Sequence, residues 1–412
     1  MRILEKQYIQ ILLAMILGFV CSLAFESSSI FIPLGDIFIR LLKMMIVPIV
    51  FMSITVGIGS ISSSTNLSRL GFKTLFYYLS TSLLAISIGL LLTNFIKPGK
   101  YFSLENLPAD INPQGALTAP SSFIDMIYRI IPTNPLSSMV NGDMLSIIFF
   151  ALIFGFSITK LNEKSKKTIQ PVIASIYESV MYITGYIIKL APIGVFGLII
   201  KAVHHSGTGI IPSIGVYMLT ILIGLLIHLC IILPTIFYLF TSISPLVHFR
   251  AMRNAMMMAF STSSSSATLP ITMSCVRDNV KVSKTTSGFV LPLGATVNMD
   301  GTALYECAGV LFIAQILPGI ELTILQQATV VFTALLASIG AAGIPSAGLV
   351  MIFIVLQSVG LSDMVGVDII VGAMLAVDRP LDMLRTMVNV TSDSIGTAII
   401  AKSEGEQLYG NL

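Results

Sequence analysis

The sequence contains few charged residues, and this scarcity limits the classes of protein to which the chain can belong. Asp, Glu, Lys and Arg make up 10% of the 412 residues, against about 25% in soluble domains. Hydrophobic residues reach 55%, and apolar runs near the roughly 20 residues needed to cross a bilayer recur along the chain. The composition therefore predicts a polytopic, all-α membrane protein in contact with lipid.

Sequence patterns for disulfides, metal centres and nucleic-acid binding are also missing. The four cysteines form no CxxC pair and the four histidines have no HExxH-like spacing, so no disulfide, resident metal or other cofactor is predicted. A net charge of +3 without a basic cluster gives no indication of a nucleic-acid partner.

Six apolar segments are predicted to be ordinary membrane spans. They cover residues 8–27, 34–60, 72–96, 142–160, 168–203 and 211–243. The first resembles a signal peptide, but its apolar core lacks an A-x-A cleavage pattern, so we interpret it as a span. If the spans alternate, most Lys and Arg residues fall in loops on the N-terminal side. This bias predicts cytoplasmic N- and C-termini in the cell (plasma or inner) membrane.

Two later segments are too short and too polar in the middle to cross as single helices. One is MMMAFSTSSSSATLPITM (256–273) and the other is SIGAAGIPSAG (338–348) with its apolar flanks. Non-helical backbone at membrane depth survives only where protein or a water-filled cavity covers it. Both are therefore predicted to be re-entrant hairpins entering from opposite faces, a pattern typical of inverted-repeat transporters. A flexible linker plus a kinked helix is the alternative.

The apolar segment 369–400 carries an unusual number of polar groups. Each charge at a helix centre costs roughly 2.5–3.5 kcal/mol on insertion scales. At 100° per residue, six polar side chains fall within an arc of about 100°: Asp378, Asp382, Arg385, Thr386, Asn389 and Asp393. This stripe indicates a binding site, although a static network of Asp–Arg pairs would give the same pattern.

A second polar block, LPLGATVNMDGTALYE (291–306), interrupts another predicted span. Gly294, Asn298 and Gly301 are expected to break the helix and leave backbone carbonyls free. Together with the Asn298 oxygen, the Met299 sulfur and the Asp300 carboxylate, these carbonyls suit an alkali cation. Asp300 as a simple helix cap is the alternative.

With these segments the chain resembles the dicarboxylate/amino acid:cation symporter family, which includes excitatory amino acid transporters and an archaeal aspartate transporter. The resemblance covers nearly the whole chain in family order. It is carried by KMMIVPIVFMSI (43–54), YYLSTS (77–82), IPTNP (131–135), TSSSSATLP (262–270), NMDGT (298–302), SIGAAGIPSAG (338–348) and DMLRTMVNVTSD (382–393).

The resemblance implies a homotrimer of elevator-type subunits, each with eight transmembrane helices and two re-entrant hairpins. Scaffold segments would be 1–70 and 101–205. The transport domain would comprise 71–100 and 206–412, with hairpin one at about 245–279, span seven at about 284–317, hairpin two at about 320–358 and span eight at about 364–404.

The resemblance also implies substrate contacts, residue by residue. Arg385 would bind the side-chain carboxylate of an acidic amino acid, and Asp382 would accept its α-ammonium group. Ser265 and Asn389 would address the α-carboxylate. The remaining predicted contacts are Ser264, Thr302, Ile344, Gly348 and Thr386.

Three sodium sites carry over in the same way, with sodium as the coupling ion. The first would use Asp393, Asn389, Gly294 and Asn298. The second would use Thr296, Met299, Ser338, Ile339 and Ala341, and the third Tyr78, Thr81, Ser82, Asn298 and Asp300.

One departure from the family concerns a missing arginine. Archaeal members carry one at the position of Ser263 and animal members at the position of Met383. Arg379, with Asp378 beside it, is the remaining charge partner for Asp382.

Sodium-coupled uptake of glutamate or aspartate is thus the predicted function, with a proton-coupled glutamate or C4-dicarboxylate symporter as the alternative. A neutral amino acid carrier would not need Arg385, and a succinate or malate carrier would not need Asp382. A passive channel remains conceivable. An intramembrane protease is disfavoured, because segment 262–270 offers no His or Lys as a base.

Overall fold

A computed structural model describes residues 7–59, 65–101, 128, 130–206, 210–340, 347–362, 364 and 366–410. Every regular element of these residues is helical. The α-helices are α1 Gln7–Ala24, α2 Ile32–Gly59, α3 Thr65–Ile96, α4 Pro135–Asn141, α5 Met144–Lys160, α6 Glu163–Lys189, α7 Ala191–Ser206, α8 Ile210–Ile227, α9 Leu233–Thr241, α10 Pro245–Thr262, α11 Ser265–Asp278, α12 Lys284–Val297, α13 Asp300–Ile316, α14 Ile324–Gly340, α15 Ala347–Ser358 and α16 Val367–Ser403.

Several helices are long and apolar enough to cross a membrane. Among the described residues, four stretches satisfy both criteria: Ser27–Gly59, Arg69–Tyr101, Glu163–Lys189 and Pro212–Thr241. Shorter apolar helices cover Ile9–Ala24, Met144–Lys160, Ala191–His204 and Ile324–Ile339. The chain is therefore an all-helical membrane protein.

The expected single span at 168–203 is wrong, because the structure divides this stretch into α6 and α7. The helix breaks at Leu190, just before Pro192 near the start of α7. Proline lacks an N–H and cannot donate to the carbonyl four residues earlier, so it commonly begins a helix rather than continuing one.

The helices pack in two groups that touch each other. Helices α1, α2, α5, α6 and α7 contact one another, whereas α16 is surrounded by α3 and α8 to α13 and also contacts α7 of the first group. Lys201 of α7 links the groups. Its Nζ lies 2.7 Å from Asp36 Oδ1 on α2 and also pairs with Asp368 on α16.

Helices α10 and α11 form an antiparallel helical pair within the predicted first hairpin. Thr262 Oγ1 lies 3.1 Å from Thr268 Oγ1 beside the turn, and Asn279 Nδ2 donates to the Ala251 carbonyl at the far end. Ser263 makes the turn with φ 52° and ψ 34°. The turn of the predicted second hairpin, residues 341–346, lies outside the described residues.

Candidate functional site

The charged residues of α16 form a buried cluster around Arg385. Asp378, Asp382 and Arg385 are 2%, 5% and 0% exposed. Arg385 Nη2 donates to Asp378 Oδ1 and to Asp382 Oδ1, both at 2.8 Å. Tyr305 lies against the guanidinium, with the Arg385 Cζ 3.8 Å from its ring centroid. Two carboxylates and an aromatic face thus compensate one buried cation.

The same guanidinium has an open edge. Arg385 Nη1 and Nε are buried and have no hydrogen-bond partner among the described residues. Gly348 of α15 lies over this edge, since a Cβ there would be only 2.6 Å from Nη1. Buried donors are nearly always paired, so this edge can receive a planar carboxylate.

Arg379 lies on the other side of Asp382. Its Nη1 is 3.6 Å from Asp382 Oδ2, and its side chain is 16% exposed. Asp382 therefore lies between two guanidinium groups, one on each carboxylate oxygen. This geometry is compatible with the predicted compensation by Arg379.

The amide of Asn389 joins α16 to the start of α13. Its Oδ1 accepts the Gly301 N–H at 2.8 Å. Its Nδ2 lies 3.3 Å from Met299 Sδ and 3.4 Å from Thr302 Oγ1. The Thr386 hydroxyl donates to the Asp382 carbonyl within α16. The structure thus brings together Asn389 and Thr302, which are predicted substrate contacts, and Met299, which is a predicted ligand of the second sodium site.

The serine run supplies a helix N-terminus in the predicted first hairpin. Ser264 caps α11 by accepting the Ala267 N–H at 3.1 Å. Ser265 is the first residue of α11 and is 3% exposed. Free N–H groups at such a terminus favour a bound anion, and α11 contacts α16.

Asn298 and Gly294 of the predicted first sodium site lie beside Asp393. Asn298 Nδ2 donates to Asp393 Oδ1 at 2.9 Å. A Cβ on Gly294 would lie 2.5 Å from that oxygen and still closer to the Tyr78 hydroxyl. The Gly294 carbonyl accepts the Asn298 N–H, so it is not free as expected, although a carbonyl has a second lone pair.

The helix break lies at Asn298 and Met299 rather than at the glycines. These two residues have φ/ψ of −98°/92° and −119°/53°, whereas Gly294 and Gly301 are helical. The break leaves Asn298 Oδ1 buried without a partner among the described residues. This oxygen is available for a cation.

The predicted third sodium site is centred on Asp300, which is fully buried. Ser82 Oγ and Thr81 Oγ1 lie 2.7 and 3.2 Å from its Oδ1. His228 Nε2 lies 3.0 Å from its Oδ2. Asp300 is therefore held by two other helical segments and is more than a helix cap.

The predicted second sodium site is described only in part. Thr296 Oγ1 and Ser338 Oγ both donate to carbonyls of their own helices. Ile339 is 9% exposed and lies on α14, which contacts α12. Ala341 and the substrate residue Ile344 lie outside the described residues.

Both sides of α16 are buried, since Leu381, Leu384 and Val388 opposite the polar arc are 1%, 6% and 0% exposed. The Asp–Arg network also exists, but it joins only residues 378–385, whereas Asn389 and Asp393 have separate partners.

Sequence reasoning missed His228 and Tyr305. Tyr305 lay within the block 291–306 without a role, and nothing in its spacing predicted the contact with Arg385. His228 begins a π-helical segment, His228–Ile232, directly before Pro234. Pro234 was the available sequence signal, because a proline interrupts the regular hydrogen bonds of a helix. Irregular π segments of this kind often occur at functional sites.

Known proteins are similar to this chain over most of its length. The model of the "Sodium:dicarboxylate symporter family" matches residues 8–403. The chain is 34% identical over 423 residues to excitatory amino acid transporter 1 of Ambystoma tigrinum, covering 89% of this chain and 76% of that protein. It is 33% identical over 405 residues to the proton/sodium-glutamate symport protein of Geobacillus stearothermophilus, covering 96% and 94%. It is 35% identical over 400 residues to neutral amino acid transporter B(0) of Oryctolagus cuniculus, covering 89% and 72%.

Proposed function

Because the chain belongs to the sodium:dicarboxylate symporter family, we propose that it imports L-glutamate or L-aspartate together with sodium. The observation that carries this proposal is the open edge of Arg385. A fully buried guanidinium with two unpaired donor nitrogens beside Gly348 suits the side-chain carboxylate of an acidic amino acid. The names of two similar proteins, an excitatory amino acid transporter and a glutamate symport protein, support this substrate class.

The other substrate groups are assigned to the neighbouring side chains. Asp382 would bind the α-ammonium group and give up part of its pairing with Arg385 when it does so. The α-carboxylate would meet Asn389 and the N-terminus of α11 at Ser264 and Ser265, with Thr302 and Thr386 completing the site. Arg379 would balance the charge of Asp382 in place of the arginine that other family members carry elsewhere.

Sodium is proposed to bind at the oxygen clusters around Asp393 and Asp300, and at a third cluster formed by Thr296, Met299, Ser338 and Ile339. Carboxylate, hydroxyl and carbonyl oxygens are the ligands that hard cations prefer. Asn298 is assigned to the Asp393 and Asp300 sites, since its Nδ2 contacts Asp393 while its Oδ1 is unpaired among the described residues.

The two helix groups support an elevator division of the chain. Helices α1, α2 and α4 to α7 would form the scaffold of a homotrimer. The other helices, including re-entrant hairpins α10–α11 and α14–α15, would move as the transport domain, with both termini in the cytoplasm. The outer face of α6 exposes Tyr182 and Tyr186, 69% and 54%, as a subunit or lipid contact requires.

A proton-coupled glutamate or C4-dicarboxylate symporter is the second candidate. The Geobacillus protein carries both proton and sodium in its name, which favours this reading. The retained carboxylate at Asp393 favours sodium, and Asp382 favours a substrate with an amine.

The test is uptake of labelled glutamate and aspartate into proteoliposomes carrying an inward sodium gradient. We expect uptake to stop when choline replaces sodium, and unlabelled aspartate to compete better than succinate. Full uptake in choline, driven by an imposed pH gradient, would establish the second candidate instead.

A further inference from the structure

His228 is a buried polar residue to which the proposed function has so far given no role. Its side chain is fully buried on the π-helical segment His228–Ile232, where the Leu233 N–H bonds to the His228 carbonyl. The π turn displaces the helix register by one residue before Pro234. In this segment the imidazole faces Asp300 on α13.

The contact has a defined polarity. His228 Nε2 lies 3.0 Å from Asp300 Oδ2. An ionised carboxylate can only accept hydrogen bonds, so Nε2 carries the hydrogen and donates it. The other ring nitrogen, Nδ1, is buried and has no partner among the described residues. Asp300 is thus the only described hydrogen-bond partner of this imidazole.

The other carboxylate oxygen faces the predicted cation ligands. Asp300 Oδ1 is within 2.7 Å of Ser82 Oγ and 3.2 Å of Thr81 Oγ1. With Oδ2 fixed by His228, the carboxylate cannot rotate about its Cβ–Cγ bond without losing that hydrogen bond. Residues behind a cation ligand commonly act in this way, and their loss typically lowers metal affinity about 10- to 100-fold.

We propose that His228 is a positioning residue for the Asp300 cation site: its Nε2–H orients the carboxylate so that Oδ1 stays with Thr81 and Ser82. This inference rests on the proposed sodium-coupled function. It assigns the π turn a purpose, which is to bring a hydrogen-bond donor to the side of Asp300 away from the ion.

The experiment measures thermal unfolding of the purified full-length protein across a sodium titration, with choline keeping ionic strength constant and no substrate added. His228→Leu removes the donor. His228→Gln places an amide N–H near the position of Nε2, whereas the shorter His228→Asn does not reach it. We expect His228→Leu and His228→Asn to raise the half-saturating sodium concentration roughly tenfold or more. His228→Gln should have a half-saturating sodium concentration close to that of the original protein.

His248→Leu is the matched control. His248 is also buried, at 1% exposure, but its nitrogens contact Tyr409 Oη and Ser394 Oγ instead of a predicted cation ligand. Its replacement should lower the melting temperature without changing the sodium half-saturation. An Asp300→Asn background should abolish the sodium effect of His228→Leu, because His228 acts through that carboxylate.

The outcomes separate the two proposals. If sodium does not stabilise the original protein, the sodium-coupled function is contradicted. If sodium stabilises the original protein and His228→Leu has the same half-saturating sodium concentration, the positioning role alone is overturned. The same holds if His228→Gln raises that concentration as much as His228→Leu does. If His228→Leu does not fold, the half-saturating sodium concentrations of His228→Gln and His228→Asn are compared instead. Equal values for these two variants would overturn the positioning role.

Discussion

Gly294 offers a direct test of whether the Asp393 cluster binds a cation. In Gly294→Ala, the new methyl group would lie 2.5 Å from Asp393 Oδ1 and closer still to the Tyr78 hydroxyl. Real Cβ atoms do not approach other atoms so closely, so both side chains must shift. Both are predicted residues of sodium sites, and the substitution adds no charge and removes no oxygen.

The size of the effect follows from the cost of overpacking. Inserting a methylene-sized group into a packed interior costs typically about 1–3 kcal/mol. If sodium binding requires the original positions of Asp393 and Tyr78, this cost opposes binding. Each 1.4 kcal/mol corresponds to about a tenfold change in affinity, so the half-saturating sodium concentration should rise about 5- to 140-fold.

Gly288→Ala is the matched control on the same helix. A Cβ at this position would meet Arg277 Nη2 at 3.4 Å, an ordinary contact distance, and Ala improves helix propensity by up to about 1 kcal/mol. The assay is sodium-dependent uptake of labelled aspartate into proteoliposomes. A folded Gly294→Ala protein with an unchanged half-saturating sodium concentration would show that sodium binding does not depend on the positions of Asp393 and Tyr78, and would contradict a cation site at Asp393.

Three further substitutions test other parts of the structure. Arg385→Cys should weaken binding of acidic amino acids by roughly 100-fold or more and favour neutral amino acids in competition assays; retained aspartate affinity would contradict its role. Arg379→Gln removes one positive charge beside Asp382 and makes the site more negative. Because this ion pair is long and partly exposed, aspartate affinity should fall only about fivefold and recover in Arg379→Lys. An equal loss of affinity for neutral amino acids would exclude a charge effect. Hydrogen bonds from Lys73 and Arg69 lower the pKa of Glu404 below its usual 4.5. These ion pairs therefore stabilise the fold above pH 4.5, and the stabilisation is lost as the pH falls through the lowered pKa. The melting temperatures of the original protein and Glu404→Gln should converge in acid, and a difference that stays constant with pH would refute a stabilising role of these ion pairs.

Local sequence signals located the discontinuities of the chain well. Small polar residues marked the turn at Ser263 and the broken helix near Asn298, because serine and asparagine side chains compete for backbone hydrogen bonds. Proline was the weaker signal there, since Pro270 and Pro292 lie inside α11 and α12. Pro192 carried the same signal for the break between α6 and α7, but the high hydrophobicity on both sides concealed it. Apolar composition alone cannot distinguish one long span from two helices.

Partners across the fold could not be predicted in the same way. The helical period placed Asp378, Asp382 and Arg385 on one side of α16, yet it could not show that both carboxylates bind the same nitrogen, Nη2. Nor could it pair His228 with Asp300, which is 72 positions away. Such contacts depend on how helices pack, and packing is not encoded in the spacing within one helix.

The ammonium group of Lys201 contacts one carboxylate on each helix group. If α16 slides past α2 and α7 as proposed, Asp368 must depart while Asp36 stays with the lysine. A lone cation in apolar surroundings costs several kcal/mol, but Lys201 retains one companion throughout. The side chain of Asp368 is 36% exposed, so water can solvate it once it leaves. A second carboxylate partner would thus allow the two helix groups to move past each other without leaving Lys201 unpaired.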